Sequence, residues 1–139
     1  MLRPMRFAIA FCGIVGTLLA AAASSGARTA APAAALRADV AEWSIVPSTG
    51  AIRAGRVRVT VRNLGTTVHQ VVLVRTSSFD QRLPLAGSRA RVPSVLGQAT
   101  VPPGARTSFV VTLGRGSYLL LDNLPWHYWK GTAAAFAVR

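Results

Sequence analysis

Residues 56–62 read Arg-Val-Arg-Val-Thr-Val-Arg. Three valines alternate with three arginines and a threonine. A β-strand points successive side chains to opposite faces, so this period of two puts the valines in a core and the arginines in water. A helix would scatter both sets around its axis. The stretch therefore predicts a half-buried strand with a basic outer stripe of Arg56, Arg58 and Arg62. That stripe either meets an anionic surface or stays solvated.

The same reading extends downstream. Asn63-Leu64-Gly65-Thr66-Thr67 turns the chain, with Asn63 bracing the turn through side-chain-to-backbone hydrogen bonds. Val68 to Val74 is a second strand, apolar on both faces and hence central. Its two-residue period puts His69 on the same inner side as Val71 and Leu73. Residues 76–97 are long and irregular, a length often tied to function and roomy enough for a short helix. Pro102-Pro103-Gly104 is a tight turn. Thr107 to Leu113 is a strand with Thr107, Phe109, Val111 and Leu113 on one face. Ser117 to Asp122 and Ala133 to Val138 are the last two strands.

Upstream, Val40 to Val46 reads as a short strand, with a turn at Pro47 to Gly50. Trp43 and Phe109 are expected in the core, as is Tyr118 with its hydroxyl bonded to a neighbouring strand. About seven short strands, turn signals every 8–12 residues or so and no helical period predict an all-β Greek-key sandwich.

The N-terminus carries a different signal. Arg3 and Arg6 precede an uncharged apolar run, Phe7 to Ala23, which ends in small residues before Ser24. This predicts a secretory signal peptide over residues 1–23, with a retained anchor as the alternative. A flexible Ala/Pro-rich leader follows over 24–35, then one domain over 36–139. The 139-residue chain has room for one such domain. Cys12, Met1 and Met5 are its only sulfur-bearing residues, and all three lie within the predicted signal. The processed chain then has no disulfide, no thiolate and no sulfur ligand.

Charge narrows the partners. Removing Arg3 and Arg6 from 16 basic residues leaves 14 against four acids, a net of +10. That favours an anionic envelope surface or an acidic protein. The export signal, and the lack of aromatic-and-basic strands of the single-strand-binding kind, argue against nucleic acid. Four acids leave little scope for paired catalytic carboxylates, and no catalytic serine motif or phosphate-cradling glycine loop is present. The chain is expected to be a monomer and not an enzyme.

Three residues carry the remaining chemistry. His69 opens one strand, Asp122 ends another and His127 follows in the next loop. If those strand ends meet, two imidazoles and a carboxylate converge, a set suited to divalent copper, zinc or iron. The plainer alternative makes Asp122 a turn former.

At these residues the chain resembles the cupredoxins, the small blue copper proteins. Residues 63–69, Asn-Leu-Gly-Thr-Thr-Val-His, resemble the family's Asn-x-Gly…His segment, which supplies the first copper imidazole. Residues 118–132, Tyr-Leu-Leu-Leu-Asp-Asn-Leu-Pro-Trp-His-Tyr-Trp-Lys-Gly-Thr, resemble its Tyr-x-x-x-Cys-Asn-x-Pro-Gly-His-Tyr-x-x-Gly-Met segment. There the Cys, His and Met are the other ligands. The Pro103-Gly104 turn, the Gly116-Ser117-Tyr118 approach and the last strand match as well, so the resemblance spans roughly residues 40–139.

It departs at three positions. Asp122 stands where the family has the copper cysteine, Thr132 where it has the axial methionine, and Trp126 where it has the loop glycine. Both imidazoles, His69 and His127, are kept. Blue copper chemistry rests on the short copper–thiolate bond, and a processed chain without sulfur has none to offer. Two readings remain. In one, His69, Asp122 and His127 form a non-blue site for Cu(II) or another divalent metal. In the other the protein is metal-free, and the fold serves as a binding or structural module of the cell envelope. Both place the protein in the secreted, periplasmic or envelope compartment.

Overall fold

The computed structural model describes residues 34–139. The predicted signal peptide, most of the leader, Cys12 and both methionines lie outside the described residues. Eleven strands follow in order: β1 (Ala34–Ala41), β2 (Ser44–Pro47), β3 (Ala51–Ile52), β4 (Gly55–Asn63), β5 (His69–Thr76), β6 (Leu85–Ala86), β7 (Arg89–Ala90), β8 (Gly97–Val101), β9 (Arg106–Leu113), β10 (Gly116–Asp122) and β11 (Ala133–Val138). Three of them are only two residues long; the remaining eight compare with about seven expected.

The Val/Arg alternation forms the body of β4. Val57, Val59 and Val61 are fully buried, whereas Arg58 and Arg62 are exposed. β4 lies between β1 and β9 in a four-stranded sheet ordered β2-β1-β4-β9. The second sheet is ordered β3-β11-β10-β5-β8. Leu36, Ala38, Val40 and the β4 valines of the first sheet meet Val71, Leu73, Val101, Tyr118, Leu120, Phe136 and Val138 of the second. The result is the predicted all-β sandwich, two sheets with one apolar core between them.

The inner face of β9 follows the expected period, with Thr107, Phe109 and Val111 partly buried and Leu113 fully so. Tyr118 stacks on Phe136 at a 5.6 Å centroid separation. Its hydroxyl donates to the Gly114 carbonyl at 2.7 Å, which satisfies the one polar atom on a core ring.

The structure corrects the N-terminal reading. What was expected to be one strand over residues 40–46 is two, β1 and β2, an antiparallel pair with Val40 opposite Ile45. β1 starts at Ala34 and runs parallel to β4, with Leu36 opposite Val59 and Val40 opposite Asn63. Leu36, Ala38 and Val40 point inward, while the outward face mixes Ala35 and Ala41 with Arg37 and Asp39, so an Ala-rich stretch conceals a true strand. Glu42 and Trp43 form the corner between β1 and β2. Trp43, expected in the core, is 39% exposed there.

Residues 77–96 contain no helix; the only regular structure is the β6–β7 hairpin. They act as a cover. Leu83 and Ala90 pack on Val72, Val74, Leu119 and Leu121, the outward side of β5 and β10. This second apolar cluster explains why β5 is apolar on both faces.

Candidate metal centre

Strand pairing brings two of the three predicted residues together. β5 and β10 run antiparallel with Asp122 opposite Val71, so the start of β5 and the end of β10 share one end of the sandwich. His69 points inward there and is fully buried. Asn63 braces the preceding turn as expected. Its Oδ1 accepts from the Gly65 amide at 2.8 Å, and its Nδ2 donates to the Thr67 and Val101 carbonyls at 2.7 and 2.9 Å.

The loop after β10 returns the third residue. Asp122 N donates to Thr132 O at 2.9 Å, and Thr132 N to His127 O at 3.2 Å. These bonds close the loop at its base and turn His127 back over Asp122. Trp126 takes φ +68. That left-handed region costs a side-chain-bearing residue roughly 1–2 kcal/mol. It is the position where the family resemblance calls for glycine, so the backbone keeps a glycine conformation under a tryptophan. The Trp126 amide is held by the Ser88 carbonyl at 2.7 Å. Asn123 Oδ1 accepts from Ala90 N, and the Tyr128 hydroxyl from Leu83 N, both at 2.8 Å. The long 77–96 segment thus fixes the site loop from outside.

Both imidazoles aim Nδ1 at the same atom. His69 Nδ1 lies 2.6 Å and His127 Nδ1 2.7 Å from Asp122 Oδ2. Asp122 is fully buried, and its other oxygen accepts from Leu124 N at 2.9 Å and Gln70 N at 3.2 Å. Four donors therefore satisfy one buried carboxylate. A carboxylate oxygen only accepts, so each ring carries its proton on Nδ1. The side chain of His127 is 14% exposed, which makes it the solvent side of the group.

These three donor atoms, all within 4.8 Å of one another, form a group able to hold a metal ion. Two imidazole nitrogens and a carboxylate oxygen suit divalent copper or zinc. The separations are those of hydrogen bonds. A tetrahedral ion with bonds of about 2.0 Å spreads its donors to roughly 3.3 Å. The residues fit a divalent ion in type and direction, provided the hydrogen leaves both Nδ1 atoms and each nitrogen moves roughly 0.6–0.7 Å farther from the carboxylate oxygen.

A second feature of the site was not foreseen. His69 Nε2 is buried without a hydrogen-bond partner, and Glu42 Oε1 lies 3.9 Å away. Thr132, at the axial-ligand position of the resemblance, is also buried with an unpartnered Oγ1. Glu42 Oε1 meanwhile accepts from the Thr66 and Thr67 amides at 2.7 and 2.8 Å. A Cβ at Gly65 would run into the Glu42 carboxylate and displace it from the Thr66 and Thr67 amides. The backbone amides of Glu42 itself, Thr67 and Thr66 hold this carboxyl down from 4.5 to about 2.

A depressed carboxyl stabilises the fold above its unfolded value and loses that contribution as it protonates. Here the contribution is complete above 4.5 and disappears as pH falls through about 2. Glu42→Gln should therefore flatten the decline of the unfolding midpoint across that window. A variant curve parallel to the parent's would show that Glu42 does not carry this dependence.

One tryptophan packs against the site. Trp43 meets His127 edge-on at 5.1 Å between centroids, and Lys130 Nζ lies 3.8 Å above the Trp43 ring. Trp43 thus packs against His127, the less buried of the two imidazoles, and not in the core. Trp126 and Trp129 are 53% and 64% exposed and touch edge to face.

No family model matches the sequence, and no curated protein matches it. Solved structures do. Auracyanin B superposes with a TM-score of 0.59 at 18% identity, over 79% of this chain and 91% of that one. Dithionite-reduced auracyanin from the photosynthetic bacterium Roseiflexus castenholzii gives 0.56 at 18% identity, over 79% of this chain and 99% of that one. Rusticyanin from Thiobacillus ferrooxidans gives 0.56 at 16% identity, over 76% of each chain. Identities this low establish architecture alone. The chain has the cupredoxin-like fold, with His69, Asp122 and His127 gathered at one end of its sandwich.

Proposed function

We infer that the protein binds a divalent metal ion, copper foremost, through His69 Nδ1, His127 Nδ1 and the Asp122 carboxylate. One observation carries this reading: both imidazoles turn the same nitrogen onto one buried carboxylate oxygen, at 2.6 and 2.7 Å. An N₂O set of this kind would hold Cu(II) or Zn(II) without the thiolate that gives blue copper its colour and fast electron exchange. Sequestration or delivery suits such a site better than electron relay.

The chain's own groups supply the proton balance. To ligate, each neutral imidazole would shift its hydrogen from Nδ1 to Nε2, with no net loss of a proton. For His69 that hydrogen faces Glu42 Oε1, 3.9 Å away. A carboxylate behind a ligating imidazole orients the ring and raises its basicity.

A second reading rests on the same distances. All four hydrogen bonds to Asp122 are already made, so the triad is also a complete metal-free polar cap on the sandwich. In that reading the fold is a binding or structural module of the envelope. In both, the protein is exported, acts as a monomer and binds without catalysing a reaction. Amino-terminal sequencing of the exported protein should find Ser24 first.

Cu(II) titration with spin-resonance detection separates the two readings. One equivalent should bind, with nitrogen hyperfine structure and no intense visible band. His127→Ala should weaken binding by about a hundredfold or more and remove one nitrogen. Absence of stoichiometric copper or zinc uptake would establish the polar-cap reading. No helix among the described residues is long and apolar enough to cross a membrane.

A further inference from the structure

The outer face of the four-stranded sheet is the side turned away from the core, and its side chains follow from register. Across one row, Asp39 of β1 faces Arg62 of β4, which faces Arg106 of β9. Across the next row, Arg37 faces Thr60, which faces Ser108. An open groove of about 430 Å³ runs over these rows, lined by the three arginines, Asp39 and Thr60 and walled by Val46, Pro47 and Ser48 at the end of β2.

Three details make this groove more than a solvated basic surface. Arg62 and Arg106 are direct cross-strand partners, and like charges placed opposite each other destabilise a sheet unless something neutralises them. Asp39 does so in part: its carboxylate takes Arg62 Nε at 2.9 Å and Nη2 at 2.8 Å, leaving Nη1 outside that pair. Arg37 and Arg106 have no side-chain hydrogen bond among the described residues. Thr60 forms the floor between them, its Oγ1 held 2.9 Å from Ser108 Oγ on the neighbouring strand. The Ser48 wall is fixed by the Arg37 amide, which donates to Ser48 Oγ at 3.2 Å.

We propose that this groove is a binding site for a doubly charged oxyanion of the phosphate class, gripped by Arg37, Arg62 and Arg106 over the Thr60 hydroxyl. Three guanidinium groups and one carboxylate leave two positive charges, matched to a dianion. Planar guanidinium forks give phosphate oxygens bidentate partners, and hydroxyls supply further donors. The phosphate is either free or carried by a phospholipid headgroup. The basic face continues along β4 through Arg58 and Arg56, which favours a surface bearing many such groups.

The test titrates inorganic phosphate into the mature protein at constant ionic strength, with chloride as the control, and follows backbone amide resonances. Saturable shifts should cluster at residues 37, 48, 60, 62 and 106 and leave His69 unmoved. Arg37→Gln/Arg106→Gln, at two exposed positions, should weaken phosphate binding roughly tenfold or more while the rest of the spectrum stays folded. Asp39→Asn should tighten it several-fold, which a merely structural Asp39–Arg62 pair would not do. A response that fails to saturate, that chloride reproduces, or that survives the double substitution would overturn the proposal.

A second arm uses vesicles of phosphatidylcholine with about one-third phosphatidylglycerol. Sedimentation with these vesicles, reversed by phosphate and lost in the double variant, assigns the site to a headgroup. Phosphate binding without sedimentation assigns it to a free phosphate.

Discussion

Asp122→Ala should lower the unfolding free energy by about 3–5 kcal/mol, the usual cost of removing one partner from a buried charged cluster. The carboxylate is wholly buried and receives four hydrogen bonds: His69 Nδ1 at 2.6 Å, His127 Nδ1 at 2.7 Å, Leu124 N at 2.9 Å and Gln70 N at 3.2 Å. Alanine leaves all four donors without that acceptor, and His69 has no solvent to turn to. Asp122→Asn keeps the volume and one acceptor oxygen, so about 1–3 kcal/mol is expected, near the cost of an unsatisfied buried group. Urea unfolding in metal-free buffer checks both values, with an unchanged m-value as the sign that the transition stays two-state. A loss below about 1 kcal/mol for Asp122→Ala would show that the cluster is not a structural unit. Repeating the series with Cu(II) adds a separate readout. A ligand that binds only the folded state raises its stability by mass action. The parent should gain and Asp122→Ala should not, whereas a metal-free cap predicts no gain in either.

The fold was legible wherever the pattern was local and two-sided. The alternation over residues 56–62 placed β4 because each outward arginine advertises solvent and each valine a core. The same logic placed His69 on the inner face, where it is fully buried. It failed at β1, because alanine fits a leader and a tightly packed strand equally well. What distinguishes them is the parallel pairing of β1 with β4, and no local pattern carries a non-local pairing. Trp43 was misplaced for a related reason. Size and hydrophobicity favoured the core, but the break at Glu42–Trp43 turns the indole onto His127 at the end of the sandwich.

The candidate site divides the same way. Spacing within residues 63–69 and 118–132 was enough to name His69, Asp122 and His127. It did not foretell that both rings would share one carboxylate oxygen, which depends on side-chain torsions at a strand end. Glu42 was missed altogether. It reaches the 66–67 amides only because Val40 sits opposite Asn63, and a lone glutamate at a strand corner gives no signal of that.

Asp122→Cys should convert the site into one that turns intensely coloured on adding Cu(II), where the parent stays pale. Asp122 Oδ2 stands one bond farther from the backbone than a cysteine Sγ would. Shortening the side chain therefore empties the point on which both Nδ1 atoms converge, 2.6 and 2.7 Å from that oxygen. A copper ion there meets two imidazole nitrogens and a thiolate, the trigonal set that defines a blue site, with axial-ligand strength setting its potential. Thr132, which the resemblance aligns with the axial ligand, offers only a buried, unpartnered Oγ1, so no thioether is supplied. A soft thiolate should also let the site hold Cu(I), which two imidazoles and a carboxylate hold poorly. The colour should vanish in the double variants with His69→Ala or His127→Ala. The thiol must be kept reduced before loading, since it would be the only one in a chain processed before Ser24. A folded Asp122→Cys protein that takes up Cu(II) and stays colourless would mean that the imidazoles do not converge on the copper. The likeness to auracyanin and rusticyanin would then be one of the sandwich alone.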